Sequence, residues 1–297
     1  LFPYTTLFRS ALPICPRSAA CRVDGGAHAA MLEPCRQLPD CREIPLHGDG
    51  SLRLDEAAWP GSGLVAVCQV NNETGAVHDL VALRAALTAC RSRALLAVDS
   101  VQALGKVPIP WREAGIDLLA LSARKIGGPA GVGALIVRTG VVLHPLLFGG
   151  GQQNGIRPGT VDVVGVSEFA QAAELAVAAQ AEHTARCQSL ATLARESLAG
   201  LSVRFLSPPR GVPHILAFSL PGYEGAVLMR LLAERDVVVG AGSACHAESA
   251  ETSHVLRAMG CDETTARGQL RLSFGPDSQP GDVERFACVL RDILPTY

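Results

Sequence analysis

Residues 64–99 read LVAVCQVNNETGAVHDLVALRAALTACRSRALLAVD. The first seven form an apolar run of strand length broken only by Gln69, closed by the polar turn Asn71-Asn72-Glu73-Thr74-Gly75. Residues 79–93 then place apolar side chains at helical spacing, and 94–99 make a second apolar run that ends in a carboxylate. Strand, helix, strand, with strands apolar on both faces, is the signature of a mainly parallel sheet covered by helices. Two further runs, 118–122 and 133–137, continue the pattern. Ligands of such sheets sit beyond the carboxyl ends of the strands. Asn72, Asp99 and Lys125 each lie at or just after such an end.

Working outward, the 297-residue chain has room for one large domain and a smaller one. Residues 161–199 are rich in Ala, Glu and Gln and lack proline, which predicts one or two long helices. After Ser207-Pro208-Pro209 a smaller α/β unit is expected, with strands at 215–219, 237–239 and 270–273 and helices at 224–235, 253–259 and 281–294. The expected organisation is a large domain over 11–178 and a small C-terminal domain over 179–297. Residues 1–10, LFPYTTLFRS, read as a translated sequencing adapter and are set aside as a scar.

Composition narrows the classes of function. A net charge of -2 gives no drive toward nucleic acid or acidic membranes. Every apolar run is interrupted before it reaches membrane-spanning length, so no membrane partner is expected. The ten cysteines show no CxxC pair and no Cys/His spacing of a zinc site, so no metal is expected. Without a secretory signal pattern, nine of them read as reduced, mostly buried thiols of a cytoplasmic protein.

Three residues stand out for chemistry. Of 26 basic residues only Lys106 and Lys125 are lysines, and only a lysine supplies a neutral amine near neutral pH. Lys125, in Ser122-Ala123-Arg124-Lys125-Ile126-Gly127-Gly128, follows an apolar strand and precedes a glycine turn. An ordinary loop lysine is simply solvated. This position suits a partly desolvated amine poised for covalent chemistry. Asp99 taken alone would be a helix cap. With Lys125 it suits the charge on a cationic ring nitrogen. Cys245 lies in Gly242-Ser243-Ala244-Cys245-His246, an open run of small residues, and so differs from Cys68 inside an apolar strand.

These stretches, together with Val70-Asn71-Asn72-Glu73-Thr74-Gly75, Asp99-x-x-Gln102, Gly149-Gly150-Gly151-Gln152 and Arg157-Pro158-Gly159-Thr160, resemble cysteine desulfurases in order and spacing. Those enzymes are the class V aminotransferase branch of fold-type I pyridoxal-phosphate (PLP) proteins. The resemblance runs from about His28 to the C-terminus. It implies an α/β fold with a PLP-binding large domain and a smaller α/β domain. It implies that PLP is carried by Lys125, which also moves the substrate Cα proton. Asp99 would pair with the pyridine nitrogen, and Gln102 and Asn72 would bond the cofactor near its phenolic oxygen. His28 would stack on the ring, Ser122 and Arg124 would contact the phosphate, and Thr160 would reach the phosphate of a neighbouring subunit, so a homodimer is implied. Arg271, in Leu270-Arg271-Leu272-Ser273, would clamp the substrate carboxylate with a planar fork. Cys245 would take sulfur from L-cysteine as a persulfide, leave L-alanine, and pass the sulfur to an acceptor protein.

Departures from the family pattern keep other readings open. Arg124 stands where the family has His, and Gln153 where it has Glu. The family's N-terminal segment, with its Gly-Ala-Thr phosphate turn, has no counterpart in the residues given, which predicts weak retention of the cofactor. A selenocysteine lyase is the alternative within the class, because the two substrates differ by one chalcogen atom. A catalytically inactive fragment is the alternative outside it.

Overall fold

The computed structural model describes residues 20–59, 61, 63–242 and 252–297. They form two compact units: 78–180 with most of what precedes it, and 181–297 together with 46–51 and 71–77.

The first unit is built on a six-stranded sheet of order β2-β1-β3-β4-β5-β6. Its strands are β1 (Ala20–Asp24), β2 (Asp40–Ile44), β3 (Gly63–Cys68), β4 (Leu95–Asp99), β5 (Leu118–Ser122) and β6 (Gly133–Val137). The first five in space are parallel, and β6 runs antiparallel to β5. β3 and β5 are apolar and buried almost throughout, as central parallel strands must be. β2, with Asp40, Arg42 and Glu43 exposed, is charged as sheet edges are. Helices α1 (Ala29–Arg36) and α2 (Leu80–Ala89) link β1 to β2 and β3 to β4, and α3 (Val163–Ala178) follows β6. Asp79 and Asp162 cap α2 and α3 by accepting from the backbone N–H groups of Ala82 and Gly165. The expected mainly parallel α/β sheet is what the chain forms.

The second unit is a three-stranded antiparallel sheet, β7 (Arg204–Phe205), β8 (Ile215–Ser219) and β9 (Gln269–Ser273), in the order β7-β8-β9. Helix α4 (Gln180–Ser197) turns Cys187, Leu190, Ala191 and Ala194 into its core. Helices α5 (Gly225–Ala233) and α8 (Pro280–Ile293) close that core around Phe218 and Phe286, whose ring centroids lie 6.2 Å apart. Two short helices, α6 (His254–Ala258) and α7 (Glu263–Arg267), precede β9.

Two expectations need correction. No strand forms at 237–239: Asp236 takes a left-handed turn (φ 58°), Val238 is 90% exposed, and pairing is confined to a single bridge between Gly240 and Arg271. The cysteines are less uniformly buried than expected, because Cys90 and Cys288 are exposed. Cys90 lies at the C-terminal cap of α2, and Cys288 lies on the outer side of α8. The 161–199 stretch divides into two helices, α3 and α4, separated at Ala179.

Candidate active site

Strand β4 delivers Asp99 to the carboxyl edge of the sheet between β3 and β5. The side chain is only 6% exposed. Burial pushes its pKa up to about 7, against the opposing pull of the Val101 backbone N–H on Oδ1 (2.9 Å) and of the nearby Lys125 ammonium. Asp99 is thus a buried carboxylate within electrostatic reach of a primary amine. The strand end is braced laterally: the Gln69 backbone N–H donates to the Asp99 carbonyl (2.8 Å), and the Ser100 hydroxyl donates to Gln69 Oε1 (2.7 Å).

Lys125 sits on a 3-10 turn, Ala123–Ile126, immediately after β5, and α3 packs against this turn. Gly127 ends it with a left-handed φ of 82°, where a Cβ would be strained. The Lys125 side chain is exposed rather than desolvated. The reason is local, since glycines follow it and the space beside Gly127 is open. Lys106, the other lysine of the chain, donates from Nζ to the Lys125 carbonyl (2.9 Å) and to Gln102 Oε1 (3.4 Å). Gln102, Lys106, Lys125 and Asp99 therefore converge at one edge of the sheet. Ser122, the last residue of β5, is buried and its hydroxyl caps no helix, whereas Arg124 is exposed. Thr160 is exposed beyond Gly159.

His28 is the N-cap of α1. Its Nδ1 accepts from the Ala30 backbone N–H (3.1 Å), so Nδ1 carries the lone pair. The turn that leads into it hangs on Asp24, which is fully buried at the end of β1. Asp24 Oδ1 accepts from the Gly26 N–H (2.8 Å), and Oδ2 accepts from the Cys68 thiol (2.9 Å). His78 Nδ1 lies 3.5 Å from Asp24 Oδ2 and 2.9 Å from the Cys68 carbonyl. These three side chains bring metal-ligating atoms within 4.8 Å of one another. Nδ1 pointing at a carbonyl oxygen is nevertheless a protonated donor, so the group reads as a hydrogen-bonded clamp under the His28 turn. Sequence spacing gives no hint of it, since its members lie 44 and 10 residues apart.

In the second unit Arg271, on β9, is anchored through Nη1 to the carbonyls of Asn72 (3.0 Å) and Gly242 (3.4 Å). Its buried Nε has no hydrogen-bond partner among the described residues. Burial lowers its pKa, and the Glu73 charge opposes that. A guanidinium held on one side with a buried N–H left over on the other is fitted to an incoming carboxylate. Asn72 serves here through its backbone. Its neighbour Asn71 shapes the turn, because Oδ1 accepts from the N–H groups of Glu73 (2.9 Å) and Thr74 (3.0 Å). Buried Glu73 accepts from the Ser253 hydroxyl (2.6 Å). The Asn-x-x-Thr pattern of a side-chain-capped turn, Asn71 to Thr74, is the available signal for Asn71. Cys245 lies outside the described residues.

The raised pKa of Asp99 makes a prediction for the cofactor-free chain. Between the ordinary value of 3.8 and about 7, the folded chain holds a proton at Asp99 that the unfolded chain has lost. The neutral carboxyl therefore contributes stability at low pH that declines across this window and is gone above about pH 7. Thermal melts from pH 4 to 8 should show wild type losing stability relative to Asp99→Asn up to about pH 7 and then tracking it. A constant difference across that range would exclude the shift.

Residues 23–286 match the model of the family described as aminotransferase class-V. A cysteine desulfurase of Cereibacter sphaeroides is 37% identical over 300 residues, covering 98% of this chain and 76% of that protein. One of Gluconacetobacter diazotrophicus is 34% identical over 278 residues, covering 90% of this chain and 69% of that protein. Among solved structures, a NifS-like protein superposes with a TM-score of 0.91 at 28% identity, over 99% of this chain and 81% of that one. With a family model spanning most of its length and relatives above 30% identity, the chain belongs to the cysteine desulfurases of the class V aminotransferase family.

Proposed function

We propose that this chain is a PLP-dependent cysteine desulfurase that converts L-cysteine to L-alanine and leaves the sulfur as a persulfide on Cys245. The observation that carries the reading is that buried Asp99 lies within electrostatic reach of the Lys125 amine at the carboxyl edge of a parallel sheet. PLP fits that donor set. The amine suits its aldehyde, the buried carboxylate suits its ring nitrogen, and Gln102 lies beside them. When bound, it supplies an electron sink for the substrate Cα carbanion.

The chain's own residues do the rest. Lys125 holds the cofactor and takes the Cα proton. Asp99 holds the proton of the ring nitrogen, and its burial makes that charge pair strong. His28, fixed by its cap bond with Nδ1 as acceptor, offers Nε2–H toward the ring face. Ser122, Arg124 and, from a second subunit, Thr160 hold the phosphate. Asn72 adds a contact to cofactor and substrate. Arg271 receives the substrate carboxylate at its Nε side. The Cys245 thiolate forms an S–S bond with the substrate sulfur while the Cβ–S bond breaks, and proton return completes alanine. Cysteine plus one thiol thus becomes alanine plus one persulfide, which a sulfur-acceptor protein removes.

The reading includes a homodimer. Leu146, Leu147 and Phe148 (88% exposed) and, just after Thr160, Val163 and Val164 are exposed apolar side chains that a second copy would cover. Sedimentation of the loaded chain as a monomer would contradict this. A cytoplasmic location also belongs to the reading. No helix among the described residues is long and apolar enough to cross a membrane, and the described cysteines are all thiols.

The test is alanine and sulfide release by the PLP-loaded chain from L-cysteine, with selenocysteine in parallel. Preference for cysteine supports the reading. Turnover of selenocysteine alone makes the chain a selenocysteine lyase, and turnover of neither makes it inactive. Arg271→Ala is expected to lower kcat/KM for cysteine roughly 100-fold, chiefly through KM. Its effect on cysteamine, which has no carboxylate, should be small. An equal loss on both substrates would remove Arg271 from the carboxylate site.

A further inference from the structure

Cys21 and Cys41 face each other across adjacent parallel strands as register partners of β1 and β2. Neighbouring strands run about 4.8 Å apart. Their Cα separation therefore falls inside the roughly 4.4–6.8 Å that a disulfide spans. Register partners project from the same face of a sheet, and both thiols meet one apolar cluster: Cys21 is fully buried in it, and Cys41 packs at its half-buried margin. The two side chains are close enough to hydrogen-bond. That bond, then burial, then the neighbouring Cys21 charge raise the pKa of Cys41, so the pair releases its protons one at a time.

We propose that Cys21 and Cys41 are a redox dithiol, closing to an intramolecular disulfide when the chain meets a low-molecular-weight disulfide such as oxidised glutathione. Cys41 is the accessible partner. Once the pair has given up its first proton, the thiolate it shares attacks one sulfur of the incoming disulfide through the accessible Cys41 sulfur, the S–S bond of the small disulfide breaks, and one small thiol leaves. Cys21 then attacks the Cys41 sulfur of the mixed disulfide, and the second small thiol leaves. The protein pair gives up two electrons and two protons, and the small disulfide becomes two thiols.

Side chains on parallel strands leave their Cβ atoms near the strand spacing, whereas a disulfide holds them about 3.8 Å apart. β2 is the edge strand and can yield, but the bond stays strained and therefore easily reduced, which is the property of a reversible link. Closing it would pin β2 to β1, the strand whose end carries the Gly25-Gly26 turn into His28. Nothing in this chemistry requires PLP or turnover.

Trypsin separates the relevant cysteines, because Cys21 falls in 18–22 (SAACR), Cys35 in 23–36 and Cys41 in 37–42 (QLPDCR). The full chain is incubated dilute with excess oxidised glutathione, its remaining thiols are blocked with N-ethylmaleimide, and the digest is read by mass spectrometry. The expected result is loss of both free thiols and one species joining 18–22 to 37–42, lighter than the sum by two hydrogens. It should run as a single chain on a non-reducing gel, disappear with mild dithiothreitol, and lose its predominance when oxidation is done in urea. Cys41→Ser should abolish it. Recovery of Cys21 and Cys41 as maleimide or glutathione adducts, or joined mainly to other cysteines or between chains, would overturn the proposal.

Discussion

Lys125→Ala is expected to lower alanine release from L-cysteine by about 10⁴-fold or more, because one amine both anchors the cofactor and moves the Cα proton. The chain offers no substitute. Lys106, the other lysine, commits its ammonium to the Lys125 carbonyl and Gln102 Oε1. Arginines stay charged and cannot accept the proton. Lys106→Ala removes those hydrogen bonds at a cost of about 1–2 kcal/mol and should leave turnover within about tenfold of wild type. Quantifying alanine for both variants under saturating PLP separates the roles. Comparable losses in the two would mean that the lysines act as a unit, and near-wild-type activity of Lys125→Ala would remove it from the chemistry.

Cys245→Ser should reduce persulfide formation and dithiothreitol-released sulfide by about 10²-fold or more while leaving PLP and cysteine binding intact. A serine hydroxyl does not ionise near neutral pH, and an alkoxide would not form the S–S bond that retains the sulfur. The readout is persulfide labelling of the chain beside the cofactor spectrum. Full sulfide release by the serine variant would show that another nucleophile takes the sulfur. Loss of PLP binding instead would show that Cys245 supports the site structurally.

Much of this architecture was legible in residues 64–137, because β3, β4 and β5 are continuous apolar runs and a central parallel strand needs nothing else. β1 and β2 were not assigned. ACRVD and DCREI carry charge in nearly every other position, and the pairing that makes them strands lies across the sheet. The expected strand at 237–239 fails for the opposite reason: three valines suit a strand, but among the described residues pairing is confined to the Gly240 bridge.

The site divides in the same way. Asp99 and Lys125 could be linked because Asp99 ends β4 and Lys125 lies on the turn just after β5, the neighbouring strand of one sheet. Arg271 could be read from its strand, yet its unused Nε appears only once the Asn72 carbonyl is seen to occupy Nη1. The clamp of Asp24, Cys68 and His78 under the His28 turn has no local pattern at all. The exposure of Lys125 was equally hidden, since it depends on what covers the glycine turn rather than on the turn's own residues.

The most direct measurement is borohydride reduction of the PLP-loaded chain followed by peptide mapping, since it fixes the cofactor wherever it is held. The account predicts the phosphopyridoxyl mass on the peptide that contains Lys125, with Lys106 unmodified. A label on Lys106, or a chain that takes up PLP and yields no label on either lysine, would contradict it.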